Sequence, residues 1–208
     1  MIGLPYETQE DVLGIKDLAY KTQDQYYKVP AEKRPRGLRI TVSTSSFVPK
    51  PFTPFMWARQ DTMEELIEKQ ELLRSEMRSK KIVYNWHDSN LSILEGVFAR
   101  GDRRLGKVLL SAHRKGCRLD GWQEHFKYDK WMEAFEENGV DYTFYNHRQR
   151  SYEENLPWDF IDVGVTKEFL KRENEKAKQA VVTPNCREKC SGCGMTQFAF
   201  CDEGGNKR

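Results

Sequence analysis

The sequence predicts an α/β chain: two β/α units over residues 1–84, a mostly helical extension over 85–180 and a cysteine-rich tail over 181–208. Three observations carry this. Met1-Ile2-Gly3-Leu4-Pro5-Tyr6-Glu7-Thr8 reads as the end of a buried strand, a sharp turn and a helix start. Leu38, Ile40 and Val42 alternate with polar residues ahead of a second amphipathic helix. After Trp86 the apolar residues recur mostly at helical spacing.

Thr8 is placed to cap the first helix, with Asp11 as its reciprocal partner. Val12, Ile15, Leu18 and Ala19 then supply a helical stripe as far as about Tyr27. A strand does not begin a fold with two residues, so the expectation is a fragment with further sequence upstream. The basic loop Lys33-Arg34-Pro35-Arg36-Gly37 leads into the half-buried strand at Leu38. Pro49, Pro51 and Pro54 then exclude both a helix and a central strand. One reading of that stretch is a stiff connection with Phe52, Phe55 and Trp57 packed beneath it.

Asp61 to about Lys80 carries Met63, Leu66, Ile67, Leu73 and Met77 on one side and charge on the other, as an amphipathic helix does. Ile82-Val83-Tyr84 is long enough for a short strand. In the extension, Leu91, Leu94, Val97 and Phe98 form one apolar face, and Leu105, Val108, Leu109 and Ala112 form the next. Asp129 is expected to cap a helix holding Trp131 and Phe135. A last helix spans Thr166 to about Ala180, with Glu168–Arg172 and Lys171–Glu175 pairs along its surface.

With 38% apolar and 32% charged residues, this is an ordinary soluble composition for one or two domains. No run approaches the roughly 18 apolar residues of a membrane helix, so no membrane partner is expected. A net charge of +2 is too balanced to argue by itself for nucleic acid. Four of the five cysteines crowd the tail, which suits metal binding in a reducing compartment better than a disulfide framework. The expected localisation is therefore cytoplasmic.

The tail is the strongest local signal for chemistry. Cys186, Cys190 and Cys193 follow C-x3-C-x2-C spacing, and Cys201 offers a fourth thiolate. Soft thiolates so spaced suit zinc or an iron–sulfur cluster; four free thiols are the alternative. A second candidate is the basic run from Arg100 to Arg118, in which Arg100, Arg103 and Arg104 sit in a tight turn. These could contact the phosphates of RNA or another partner, or line a solvated helix face. His87, His113, His125 and His147 make no metal-binding spacing. Cys117 reads as structural, and the tryptophans read as packing anchors.

Several of these blocks carry a resemblance. Ile2-Gly3-Leu4-Pro5 with Glu7 and Thr8, followed by an acidic helix, resembles the fifth-strand segment of radical SAM enzymes. Val42 to Phe55, with its three prolines, resembles the sixth-strand segment. The blocks Leu94 to Leu105 and Leu156 to Val165, together with the cysteine tail, are similar to the C-terminal part of cobalamin-domain radical SAM proteins of the YgiQ-like group.

The resemblance implies that residues 1–84 are the last two β/α units of a partial TIM-type barrel. It also implies that Gly3 and Glu7 lie along bound S-adenosyl-L-methionine (SAM), and that the proline loop sits at the barrel mouth. The full enzyme would cleave SAM reductively at a 4Fe–4S cluster, with cobalamin available from a further domain. The missing N-terminal part of the protein would be this chain's first partner.

The tail is not the expected catalytic cluster: it ends the chain, Gly192 replaces the usual aromatic residue, and Cys201 would occupy the position SAM needs. Its metal is expected to be auxiliary or structural, zinc or iron–sulfur, and no catalytic residue is assigned. The competing expectation is a non-catalytic metal-binding module that contacts RNA or a protein.

Overall fold

The first helix, α1 (Gln9–Lys28), starts where its cap dictates. The Thr8 hydroxyl accepts from the Asp11 N–H at 3.3 Å, and the Asp11 carboxylate accepts from the Thr8 N–H at 2.8 Å. The computed structural model describes residues 1–198. Along them follow β1 (Ile40–Thr44), α2 (Met63–Glu76), β2 (Ile82–Trp86), α3 (Ser89–Ala99), α4 (Leu105–Arg114), α5 (Tyr128–Glu137), α6 (Thr143–Asn146) and α7 (Lys167–Lys178). Single 3-10 turns form at Ala31–Lys33 and Met195–Phe198.

The chain divides into two units. The first takes Met1–Val48 and Gln60–Glu95; the second takes Pro49–Arg59 and the chain from Gly96 onward. The proline loop thus belongs to the second unit, and the boundary between the units runs through α3.

In the first unit β1 and β2 run parallel, pairing Ile40 with Ile82, Val42 with Tyr84 and Thr44 with Trp86. Alternation puts Ile40, Val42, Ile82 and Tyr84 on one face, where they meet Val12 and Ala19 of α1 and Leu73 of α2. Thr41, Ser43 and Asn85 stay exposed on the strands' other positions. Ile2 is fully buried and adds one parallel bridge, to Ser46. Helix α2 begins in a second reciprocal cap: Thr62 accepts from the Glu65 N–H, and the Glu65 carboxylate accepts from the Thr62 N–H at 2.9 Å.

The barrel expectation is corrected here. Among the described residues the sheet has two strands, the fold class is not a partial TIM-type barrel, and residues 1–84 are not the last two β/α units of one. The strand–helix order expected from the sequence is present, with a short strand at Ile82–Trp86, but connectivity does not close a sheet. Closure needs a consistent tilt and shear over many strands, whereas two five-residue strands and one bridge form an open ribbon.

The second unit is helical. Val108 and Ala112 of α4 are fully buried, as is Ala134 of α5, and Trp131 and Phe135 contribute to the same layer. Phe98 meets the Trp131 ring edge-on at 5.3 Å. A separate cluster gathers Met56 and Trp57 of the proline loop with Leu156, Trp158 and Leu170. The Asn174 side-chain amide of α7 donates to the Pro54 carbonyl, tying the loop down.

The expected surface pairs along α7 take other partners. Lys171 pairs with Glu153, and Arg172 donates to the carbonyl of Ser191 at 2.7 Å. Asp129 is not the cap of α5: Lys127 occupies that position without a side-chain hydrogen bond, and Asp129 lies in the first turn. Among the described residues no helix is long and apolar enough to cross a membrane.

The cap of α2 is open to test. Thr62→Ala removes one side of the reciprocal pair and should lower stability by about 1 kcal/mol. Thr62→Ser should restore most of it in chemical denaturation; equal losses for both variants would mean that the cap contributes nothing.

Candidate functional site

The Gly3–Glu7 turn leaves the strand end at Ile2, which is held by Ile2 N–H to the Ser45 carbonyl at 3.0 Å and Phe47 N–H to the Ile2 carbonyl at 2.8 Å. Gly3 has φ +81°, a left-handed backbone that favours glycine, and Tyr6 has φ 68° in the same turn. The Glu7 N–H closes on the Leu4 carbonyl at 3.1 Å, and the Glu7 carboxylate reaches back to the Gly3 N–H at 2.8 Å.

That carboxylate belongs to a charged cluster. Lys69 on α2 donates to Glu7 at 2.9 Å and to Asp61 at 2.7 Å. The Glu7 side chain is only 5% exposed and that of Asp61 13%. Burial opposes the charge on Lys69, but its bonds to Asp61 and Glu7 outweigh it and hold the amine above its ordinary pKa. A Cβ on Gly3 would stand 3.0 Å from an Asp61 carboxylate oxygen and 3.2 Å from a Leu66 methyl. The close approach at this glycine is therefore made by the protein's own side chains.

The three arginines of the basic turn part company. Arg100 is fully buried, donating to the carbonyls of Ala58 at 2.6 Å and Asn146 at 2.8 Å, so it is not a surface phosphate contact. Arg104 pairs with Asp102 at 2.6 Å, and its guanidinium lies over the rings of Phe144 and Tyr145. Arg103 is exposed and enters no ion pair among the described residues. The Arg104 hydrogen bond holds the Asp102 carboxyl down to about 2, helped by the Tyr145 hydroxyl donating at 3.2 Å.

The cysteine loop docks on the N-terminal end of α7. The Thr166 N–H donates to the Cys193 carbonyl at 2.9 Å. Gly194, at φ +106°, brings its backbone so close that a Cβ would stand 2.7 Å from the Gly164 carbonyl oxygen. Cys186 is exposed, while Cys190 and Cys193 are half-buried. Among the described residues no three His, Cys, Asp or Glu side chains gather as a metal site. Cys201 lies outside the described residues. Cys117 is buried with its thiol pushed up by burial, which fits a packing role.

Sequence reasoning found Glu7 but not its partners Asp61 and Lys69. Nothing in a helix carrying many Glu and Lys residues marks one lysine as the half-buried one. Arg150, 3% exposed, lies in the loop after α6 two residues from Arg148, and nothing local marks which of the two is buried.

Two outcomes test the electrostatics. Lys69→Met leaves two mostly buried carboxylates without their cation and should cost roughly 1.5–3 kcal/mol at neutral pH. Because the lysine pKa is raised on folding, wild type should keep this contribution up to about pH 10 and lose it as pH climbs through the raised value. A penalty unchanged at high pH would contradict the pairing. Asp102 has the opposite sign: its contribution is present above about pH 4 and is lost as pH falls towards 2. Asp102→Asn should flatten that part of the acid unfolding curve, at about 1 kcal/mol or less.

No family model matches the chain, and no solved structure matches it significantly. A 140-residue stretch is 25% identical to a Methanocaldococcus jannaschii protein named "Uncharacterized protein MJ0966", covering 67% of this chain and 29% of that protein. The match thus spans less than a third of the relative's length, and the relative's name states no activity.

Proposed function

We propose that the chain is the C-terminal portion of a radical SAM enzyme, supplying scaffold beside the chemistry rather than the cluster that cleaves SAM. The observation that supports this best is the strand–turn–helix at residues 2–9. The Gly3 and Glu7 of the radical-SAM-like motif fall on a turn at the carboxyl end of a parallel-paired segment. In open α/β sheets that edge is where ligands bind.

In the complete enzyme, a 4Fe–4S cluster and SAM would supply the radical chemistry, and cobalamin could join from a further domain. The described residues do not fit direct contact with those groups. The space at Gly3 is taken by Asp61 and Leu66, and one Glu7 oxygen already accepts from Gly3 and Lys69. Gly3 and Glu7 are then positioning residues that fix the turn's shape. At the tail, the thiolate donors suit zinc or an auxiliary iron–sulfur cluster, yet the three described cysteines are not gathered to hold one. No reacting group is assigned to this chain.

Loaded with iron and sulfide and reduced under anaerobic conditions, the chain alone is expected to release no deoxyadenosine from SAM. The protein encoded in frame upstream of the Met1 codon, with its own C-x3-C-x2-C motif, is expected to release it. An upstream sequence without that motif, or a longer protein that leaves SAM intact, would overturn the proposal.

A second reading, a metal-binding module that contacts RNA, is favoured by one observation. Arg103, Lys107 and Arg114 are exposed on α4 and its lead-in, with no ion pair among the described residues. If it holds, the whole chain binds single-stranded RNA at low salt, and each substitution of these residues by Gln reduces the salt slope by roughly 1. Absence of binding at low salt dismisses it.

A further inference from the structure

Four arginines and two carboxylates meet around α6 in the second unit. Arg104 is neutralised by Asp102 at 2.6 Å and Arg148 by Glu154 at 2.5 Å. Arg100 and Arg150 remain. Neither has a carboxylate partner among the described residues, and their exposures are 0% and 3%. Arg100 gives its two terminal nitrogens to the carbonyls of Ala58 and Asn146, and Arg150 gives one to the carbonyl of Tyr145 at 2.6 Å. These carbonyls satisfy donors without supplying a negative charge.

Three further donors, on these two arginines and on Trp57, are buried without an acceptor: Nε of Arg100, Nη1 of Arg150 and the indole Nε1 of Trp57. The backbone links them. The Trp57 carbonyl accepts from the Arg150 N–H at 2.8 Å, and the next carbonyl along, that of Ala58, accepts from Arg100. Burial pushes Arg100 down to about 9, with Arg150 and Arg148 adding repulsion, and burial followed by Arg148 pushes Arg150 down to about 10. Both stay cationic at neutral pH. Glu154, already paired with Arg148, offsets the charge of Arg150 only from a distance, and no carboxylate offsets Arg100; desolvated cations so poorly compensated are expensive in a protein interior. These three orphan groups are donors, so a complementary ligand offers acceptors, and a negative charge on it would offset the two cations.

We propose that Arg100, Arg150 and the Trp57 indole form an internal site for a small tetrahedral oxyanion, inorganic phosphate or sulfate. The guanidinium fork matches the oxygens of such an ion in geometry and charge. A water molecule would accept from these donors but bring no negative charge. The full burial of Arg100 excludes a bulky substituent, so the ion is free rather than part of a nucleotide or nucleic acid. Enclosure also implies slow exchange, because the protein must open locally to admit the ion.

The test uses the full chain freed of oxyanions and held at constant ionic strength. Inorganic phosphate should raise the melting temperature saturably, where equivalent chloride does not. Arg150→Met should weaken the apparent phosphate affinity about tenfold or more, while Arg103→Gln with Lys107→Gln should leave it unchanged. Should Arg150→Met fail to fold, wild type decides: the Arg100 Nε–H resonance should move to a new position in slow exchange as phosphate is added. Phosphate no better than chloride, a response lost in the surface variant but kept in Arg150→Met, or an unmoved Arg100 resonance would each overturn the site.

Discussion

Arg100 and Arg150 enter the interior carrying charge, and the local course of the chain follows from what their donors need. Main-chain carbonyls must face them, so the segment through Trp57 and Ala58 turns its backbone towards α6 and the loop beyond. The C-terminal carbonyls of α6, which no intrahelical donor satisfies, turn the same way and accept from both guanidiniums. This is why a four-residue helix persists here, although isolated helices so short are not stable. The rings above it belong to the same arrangement: Arg148 lies over Phe144 at 4.3 Å and Arg104 over Tyr145 at 5.5 Å.

The first unit rests on a different constraint. One parallel bridge at Ile2 cannot fix the path of the chain that follows, so side chains do. Glu7 holds the turn by returning to Gly3, and Lys69 fastens Glu7 to the start of α2 through Asp61. Ile2, Val12, Leu73 and Ile82 close the apolar layer beneath. The positive φ at Tyr6 is a local strain that this network over-determines. A turn built so firmly at the carboxyl end of a strand is suited to positioning, which is the role proposed for it.

The cysteine loop illustrates the difference between a motif and a site. Its backbone is fixed by Arg172, by Thr166 and by the close approach of Gly194 to Gly164. Fixing the backbone does not by itself gather the thiols, since convergence depends on side-chain directions that spacing leaves open. The thiolate chemistry still favours soft metals.

The sequence by itself determined the local structure. Reciprocal capping set the start of α1 at Thr8, alternation at Ile40 and Val42 marked β1, and the apolar run Ile82-Val83-Tyr84 marked β2. These are short-range preferences, carried by neighbours a few residues apart. Which apolar positions become core was legible only in part: Val12 and Ala19 are buried, whereas Leu18 of α1 and Leu109 of α4 face outward.

Only the tertiary structure decided which charges are special. Lys69 and Arg74 are both cations on α2, yet Lys69 bridges two carboxylates from outside the helix whereas Arg74 pairs with Glu71 of its own helix. Arg100 and Arg103 share one turn, yet one is buried and the other faces solvent. Burial and counter-charge come from residues tens of positions away, and the sheet's failure to close reflects how many strands pair. Both are long-range properties that no local pattern encodes.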